Sequence, residues 1–282
     1  MVRKLKDSLV LGLIWLSASL SVFLLAGIML YVFFRGLPVI RWSFLTSVSS
    51  AVQGNVGIAG NIVNTLYVTG LTLLFAVPVG IGAAVWLNEY AGPSRWRRLI
   101  EFATETLAGI PSIVFGLFGM VFFGTTLGLG YSLLTGALTL TLMILPLITR
   151  NTQEALRAVP DSYREAAAGM GAARWYMIRT VLLPSAMPGI VTGVLLAIGR
   201  IVGESAALLL TAGSGYLLPK AGQGFLDKIL ASGGTLAVQL YFSMAKARYD
   251  AAFGIAAVLL GVIFCLNMLA KILARRWDLT AR

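Results

Sequence analysis

The chain has 282 residues, 58% of them hydrophobic and 12% charged, with a formal net charge of +11. A soluble domain carries roughly twice that charged fraction, so the composition excludes an ordinary globular fold. The absence of histidine and the presence of a single cysteine, Cys265, exclude imidazole metal sites, His-based triads and proton relays, intrachain disulfides and Cys-rich metal clusters. A basic charge can signal nucleic acid, but here the Lys and Arg residues stand at the ends of long apolar blocks. That placement orients a membrane protein, and no nucleic-acid partner is expected.

Blocks of about 20 apolar residues cross a bilayer as helices, and the pattern predicts six. The first runs from about Leu9 to Phe34 behind a basic start of Arg3, Lys4 and Lys6. It is longer than the ~7–15-residue apolar core of a signal peptide, so it is read as a retained span. The second runs from about Ile62 to Leu87, with Pro78 as an expected kink. The third, about Leu107 to Phe123, and the fourth, about Tyr131 to Ile148, are joined by the uncharged turn "GTTLGLG". The fifth runs from about Ile190 to Leu210 and the sixth from about Ala251 to Leu273. Cys265 lies in the sixth and is expected to be a small packed hydrophobe.

Six spans put both termini on one side. Of the 22 Lys and Arg residues, 15 fall in the two termini and in the loops after spans 2 and 4, and 6 fall in the opposite loops. The positive-inside rule therefore makes both termini of this multi-pass membrane protein cytoplasmic. The expected organisation is an N-terminal span with its outer loop (1–61) and a main transmembrane domain (62–282). The main domain has a cytoplasmic loop at 151–188 and an outer loop at 211–250. Most of the six tryptophans (Trp15, Trp42, Trp86, Trp96, Trp175 and Trp277) sit near span ends, as interfacial anchors do; Trp15 lies deeper.

The cytoplasmic loop contains "EAAAGMGAARWYMIRTVLLP" at 165–184. Pro160 cannot continue a preceding helix, and Asp161 is an expected N-cap. Ser162 to Ala168 then suit a short helix, and Gly169 and Gly171 offer left-handed stops. A second short helix is expected from Ala172 to about Leu182, ending near Pro184. Ala166, Ala167 and Ala168 leave a small surface for another backbone to approach.

This stretch resembles the EAA motif of type I ABC-importer permeases, with Glu165, Ala166, Ala167, Gly171, Leu183 and Pro184 in register and Val181 in place of the usual Ile. "IPSIVFGLFG" at 110–119 and "LLAIGRIVGESAALLLTAG" at 195–213 are similar to the phosphate-specific permeases of the PstA type. The resemblance implies an all-α integral membrane protein: a five-helix permease core plus a peripheral N-terminal helix. It implies that the EAA loop docks on a cytoplasmic ATPase and switches the membrane helices between inward and outward access. It also implies partners: a second homologous permease, two copies of the ATPase and an extracytoplasmic phosphate-binding protein, all in membrane lipid. The chain has no P-loop of its own, so it is not expected to be an enzyme or to need a cofactor.

Arg200 and Glu204 fall inside the fifth predicted span, four residues apart, so a continuous helix would set them on one face near mid-membrane. One reading is a structural ion pair. The other is a substrate pathway in which the guanidinium meets an anion, Glu204 is its counter-ion and Ser205 adds a hydroxyl. Glycines 199 and 203 would allow close helix approach. Glu89 is expected at the interface. Glu101 and Glu105 are expected to be solvated or paired with nearby arginines. Pro111 and Ser112 are expected to form the first turn of span 3, with an opened backbone lining the path as the alternative.

These observations point to phosphate import driven by a separate ATPase. A permease for sulfate or molybdate is the alternative within the class. From a different class, an ion-gradient-driven anion transporter would use Glu204 as proton carrier, but it lacks clear inverted-repeat halves and leaves the EAA pattern without a purpose.

Overall fold

The computed structural model describes residues 2–50, 55–216, 218 and 224–275. Lys220, Arg276, Trp277, Arg282 and part of the 211–250 loop lie outside them. Among the described residues five helices are long and apolar enough to span a bilayer, and up to six if one bent pair is counted as a single span.

Helix α1 (Val2–Gly36) stands apart, with none of its apolar stretch buried. Its contact is at its C-terminal end, where Tyr31 meets Phe253 edge-on at 5.5 Å and the Arg35 guanidinium lies 5.8 Å from the same ring. The short helix α2 (Trp42–Thr46) and an antiparallel ladder of β1 (Val48–Ser50) with β2 (Asn55–Ile58) follow. This ladder is the one departure from all-α structure among the described residues.

Helix α3 (Ala59–Val85) carries Pro78 in its interior and ends in a widened turn, Trp86–Tyr90. The third span, expected over about Leu107 to Phe123, begins at a sharp bend. α4 (Arg95–Ala108) and α5 (Ser112–Gly119, prolonged by a wide turn to Thr126) meet at a 103° bend. Pro111 causes it: its backbone is extended (ψ 139°), and a residue before proline is pushed away from helical geometry.

Helix α6 (Leu133–Arg157) is the centre, with 67% of its apolar stretch buried against 44% or less for the other spanning helices. Leu133, Leu140, Ile144 and Ile148 are buried there with Val68, Ala197, Ile201 and Leu208. Small residues let the neighbours close in. A Cβ on Gly193 would stand 2.7 Å from the Asn151 Cβ, and one on Gly116 would stand 2.8 Å from the Ala207 Cα. Close backbone approach is how helices associate where lipid is as apolar as the side chains.

After α7 (Asp161–Gly169), the chain enters α8 (Arg174–Met177), a widened turn at Ile178–Leu182, and α9 (Leu183–Gly203). These three form one 30-residue helix. The second short helix expected to stop near Pro184 is therefore the start of the fifth span. The widened turn explains why: an extra residue per turn lets the proline ring clear the carbonyl it would otherwise strike. The fifth span also ends early, at Gly203 rather than Leu210. α10 (Ala206–Thr211), α11 (Phe225–Ile229), α12 (Leu236–Ala245) and α13 (Tyr249–Arg275) complete the chain. Burial lowers the pKa of Lys228 on α11 below its ordinary value. Cys265, expected to be packed, is exposed on α13.

At the end opposite the EAA stretch, α3 is tied to the segment before α12. Asn61 Nδ2 donates to the Gly234 carbonyl at 2.9 Å, and Asn64 Nδ2 donates to the Gly215 and Gly234 carbonyls at 3.0 and 3.2 Å. The Leu236 amide donates to Thr65 Oγ1 at 2.9 Å. These carbonyls lie in irregular backbone with no helix to bond them, so buried asparagines supply the donors. Asn64→Ala is expected to destabilise the protein by about 1–3 kcal/mol, measured as thermal unfolding in detergent.

Candidate functional site

The EAA stretch begins on α7. Asp161 is the first helical residue rather than the cap, and Pro160 stands before it. Glu165 and Ala166 face outward, but Ala167 does not: it is 3% exposed and packs with Val85, Leu156, Val159, Ile178 and Leu182. Ala167 was expected on the outer docking face, and the helical turn instead places it under α7 against the membrane helices. Gly171 adopts φ +74°, the left-handed stop expected of it, whereas Gly169 remains helical. Leu183 and Pro184 are half-buried within the spanning helix. The stretch between α6 and α8 is thus 158–173, shorter than the loop read from sequence. Around it Tyr163, Met170, Trp175 and Tyr176 are all exposed, an aromatic-rich surface flanking Glu165 and Ala166.

Glu89, expected at the interface, is packed inside the protein and paired. It is buried at the last turn of α3, where its Oε1 accepts from Arg164 Nη2 at 3.0 Å and from Asn88 Nδ2 at 2.7 Å. Arg164 also caps the end of α6, donating to the Leu156 carbonyl at 3.0 Å and the Val159 carbonyl at 3.1 Å. Helix ends leave their last carbonyls without partners, and a guanidinium supplies several donors at once. Glu101, as expected, pairs with arginines: Arg97 at 3.0 Å on its own helix and Arg157 at 3.5 Å on α6. Together with Arg150 and Gln153 they line a polar cleft between α4 and α6.

Arg200 and Glu204 do not share a helical face. α9 ends at Gly203, and Glu204 is extended (ψ 126°), with its Oε1 accepting from the Ala207 amide at 3.1 Å. The carboxylate caps α10, whose first amides would otherwise lack acceptors, and Ser205 precedes that helix half-buried. Arg200 has no ion pair among the described residues and is exposed. Thr192, Leu196, Arg200 and Gly203 form one exposed stripe along α9, and a Cβ on Gly199 or Gly203 would meet nothing within 4 Å. The close helix approach expected at those glycines is therefore not made among the described residues. Arg200 lies roughly 32 Å along the helix from Arg179, at about 1.5 Å per residue. It stands toward the far half of the span rather than at its middle, because the helix begins well before Ile190.

Sequence reasoning missed Arg164 and the two asparagines of α3. Arg164 carried a signal, since it adjoins Glu165 in the motif, but nothing local links it to Glu89.

A bundle with a peripheral first helix, a short surface helix between two spans and an open-faced fifth span is the architecture of an ABC-importer permease. Residues 76–279 match the family model described as binding-protein-dependent transport system inner membrane component. The chain is 40% identical over 213 residues to the probable ABC transporter permease protein YqgI of Bacillus subtilis, spanning 76% of this chain and 72% of that one. It is 33% identical over 216 residues to the phosphate transport system permease protein PstA of Haemophilus influenzae, spanning 77% and 76%. A chain in the crystal structure of a bacterial alginate ABC transporter, in complex with an alginate pentasaccharide-bound periplasmic protein, superposes with a TM-score of 0.69. The match covers 97% of this chain and 96% of that chain at 17% identity, and shows the fold alone. The chain belongs to the family of binding-protein-dependent transport system inner membrane components. It is a permease subunit, a membrane-translocation component.

The two faces of α7 predict opposite outcomes for neighbouring residues. Ala167→Leu overfills the packed cluster and should cost about 1–3 kcal/mol, while Ala166→Leu should stay within about 0.5 kcal/mol. Thermal unfolding of the two purified variants in detergent checks this, and equal shifts would contradict the inward placement of Ala167.

Proposed function

We propose that this chain is one of two permease subunits of an ATP-driven importer of inorganic phosphate in a bacterial cytoplasmic membrane, with both termini in the cytoplasm. The observation that carries the reading is Arg200. It is exposed on the open stripe of α9 and makes no ion pair among the described residues. A membrane-embedded guanidinium is costly beside lipid and belongs on a water-filled or protein-facing surface. A second, homologous permease set against this stripe would enclose a pathway with Arg200 inside it. The guanidinium fork suits the paired oxygens of phosphate. Glu204 lies just past it, where the helix breaks, and holds the path's wall through its bond to the Ala207 amide of α10, with the Ser205 hydroxyl beside it. The relative from Haemophilus influenzae, named as a phosphate transport permease, supports phosphate over sulfate or molybdate.

Glu165, Ala166 and Gly171, with the exposed Met170 and Trp175 beside them, form the surface on which a separate ATPase subunit docks, two copies serving the two permeases. Ala167, Leu183 and Pro184 hold that surface to the spanning helices from beneath. The opposite end, around the 211–250 loop, faces an extracytoplasmic phosphate-binding protein. ATP hydrolysis belongs to the partner.

Uptake into vesicles by the complete transporter tests the reading. Arg200→Ala should lower phosphate uptake by about ten- to a hundredfold, the worth of one charged hydrogen-bonded contact, with the ATPase still bound. Normal uptake in that variant would remove Arg200 from the pathway. Sulfate or molybdate outcompeting phosphate in the wild type would reassign the substrate, and uptake that follows a proton gradient instead of ATP would overturn the class. Ala166→Arg should release the ATPase from the purified complex without altering the chain's own thermal unfolding.

A further inference from the structure

Adjacent residues on α7 face opposite ways. Glu165 points out from the protein, while Arg164, with 21% of its side chain exposed, reaches under the helix to a Glu89 carboxylate that is 6% exposed. One guanidinium there makes four hydrogen bonds. Nη2 donates to Glu89 Oε1 and to the Leu156 carbonyl, both at 3.0 Å; Nη1 donates to the Val159 carbonyl at 3.1 Å and to Asp161 Oδ1 at 3.0 Å. The acceptors belong to the end of α3, the end of α6 and its exit, and the start of α7. Because the guanidinium is planar and rigid, moving it with α7 disturbs together its three bonds to groups outside that helix, on Glu89, Leu156 and Val159.

We infer that the Glu89–Arg164 pair is the link that passes displacement of α7 to membrane helices α3 and α6. This rests on reading α7 as the ATPase-docking helix. The pair contacts neither the docking surface nor the anion path: it is a positioning pair. Without it, α7 remains attached through Ala167 and the chain itself, so a partner still binds, but its movement is taken up as slippage between α7 and the spans.

The test uses the complete transporter in proteoliposomes, with second permease, ATPase and binding protein, measuring ATP hydrolysis and phosphate uptake in the same vesicles. Glu89→Gln keeps the shape and one acceptor but loses the charge, and it leaves Arg164 bonded to Asp161 and two carbonyls. Phosphate imported per ATP should fall about fivefold or more, while hydrolysis stays within about twofold of wild type. Arg164→Lys keeps a charge but not the fork, and should lower the same ratio. Glu89→Gln with Arg164→Lys should be no worse than the poorer single variant, as expected of groups acting as a unit. Should Glu89→Gln fail to assemble, Arg164→Lys decides on the same ratio. An unchanged ratio overturns the inference, as does a parallel fall of uptake and hydrolysis with the amount of assembled complex, which marks the pair as fold support. If the wild type carries sulfate or molybdate instead, the phosphate reading fails and the pair is judged on that ion per ATP. If it shows no ATP-driven transport of any of the three, the coupling reading falls and the link with it.

Discussion

The Glu89–Arg164 ion pair fixes where the short helix α7 sits. Nine residues of helix are too few to persist alone in water, and within α7 only Ala167 is buried. What holds it is one small side chain in an apolar cluster and one guanidinium that satisfies a carboxylate and two carbonyls at once. Breaking a buried charge pair strands the other charge, at a cost of about 3–5 kcal/mol, so the arrangement has a single well-defined position. The surface formed by Glu165 and Ala166 inherits its orientation from that position.

Hydrogen bonds from buried polar side chains to loose backbone also shape the opposite end. There Asn61 and Asn64 donate to carbonyls in irregular chain, and Glu204 accepts an amide where the fifth span breaks. Between the two ends α6 serves as the common packing surface, and glycines at its contacts bring neighbouring helices close enough for dispersion to hold them. The arrangement leaves one face of α9 bare. A bare face that carries an arginine is unusual for a helix meant to meet lipid, and it is the observation behind the second subunit proposed above.

Much of this was legible in the sequence. Apolar run length marks the spans, because the hydrocarbon thickness sets it. The register of Glu165 and Gly171 marks the short helix and its stop, because a left-handed turn selects glycine. Other features were not legible. Pro184 reads as a helix terminator, but a widened turn carries the helix through it. Arg200 and Glu204 read as an i, i+4 pair only if the helix continues, and it ends one residue before Glu204. Glu89 reads as an interfacial acid because its partner lies 75 positions away.

The sequence by itself determined the membrane class, the approximate spans, the asymmetry of charge between the two sides and the presence of the EAA stretch. All of these follow from local composition and spacing acting against a solvent of fixed thickness. The tertiary structure decided which side of α7 is a surface and which is a foundation, what Glu89 and Glu204 bond to, and that Arg200 stands on an open face. Those depend on where separate helix ends come to rest against one another, and a buried charge or an orphaned carbonyl takes the partner that packing brings within reach, whatever its distance along the chain.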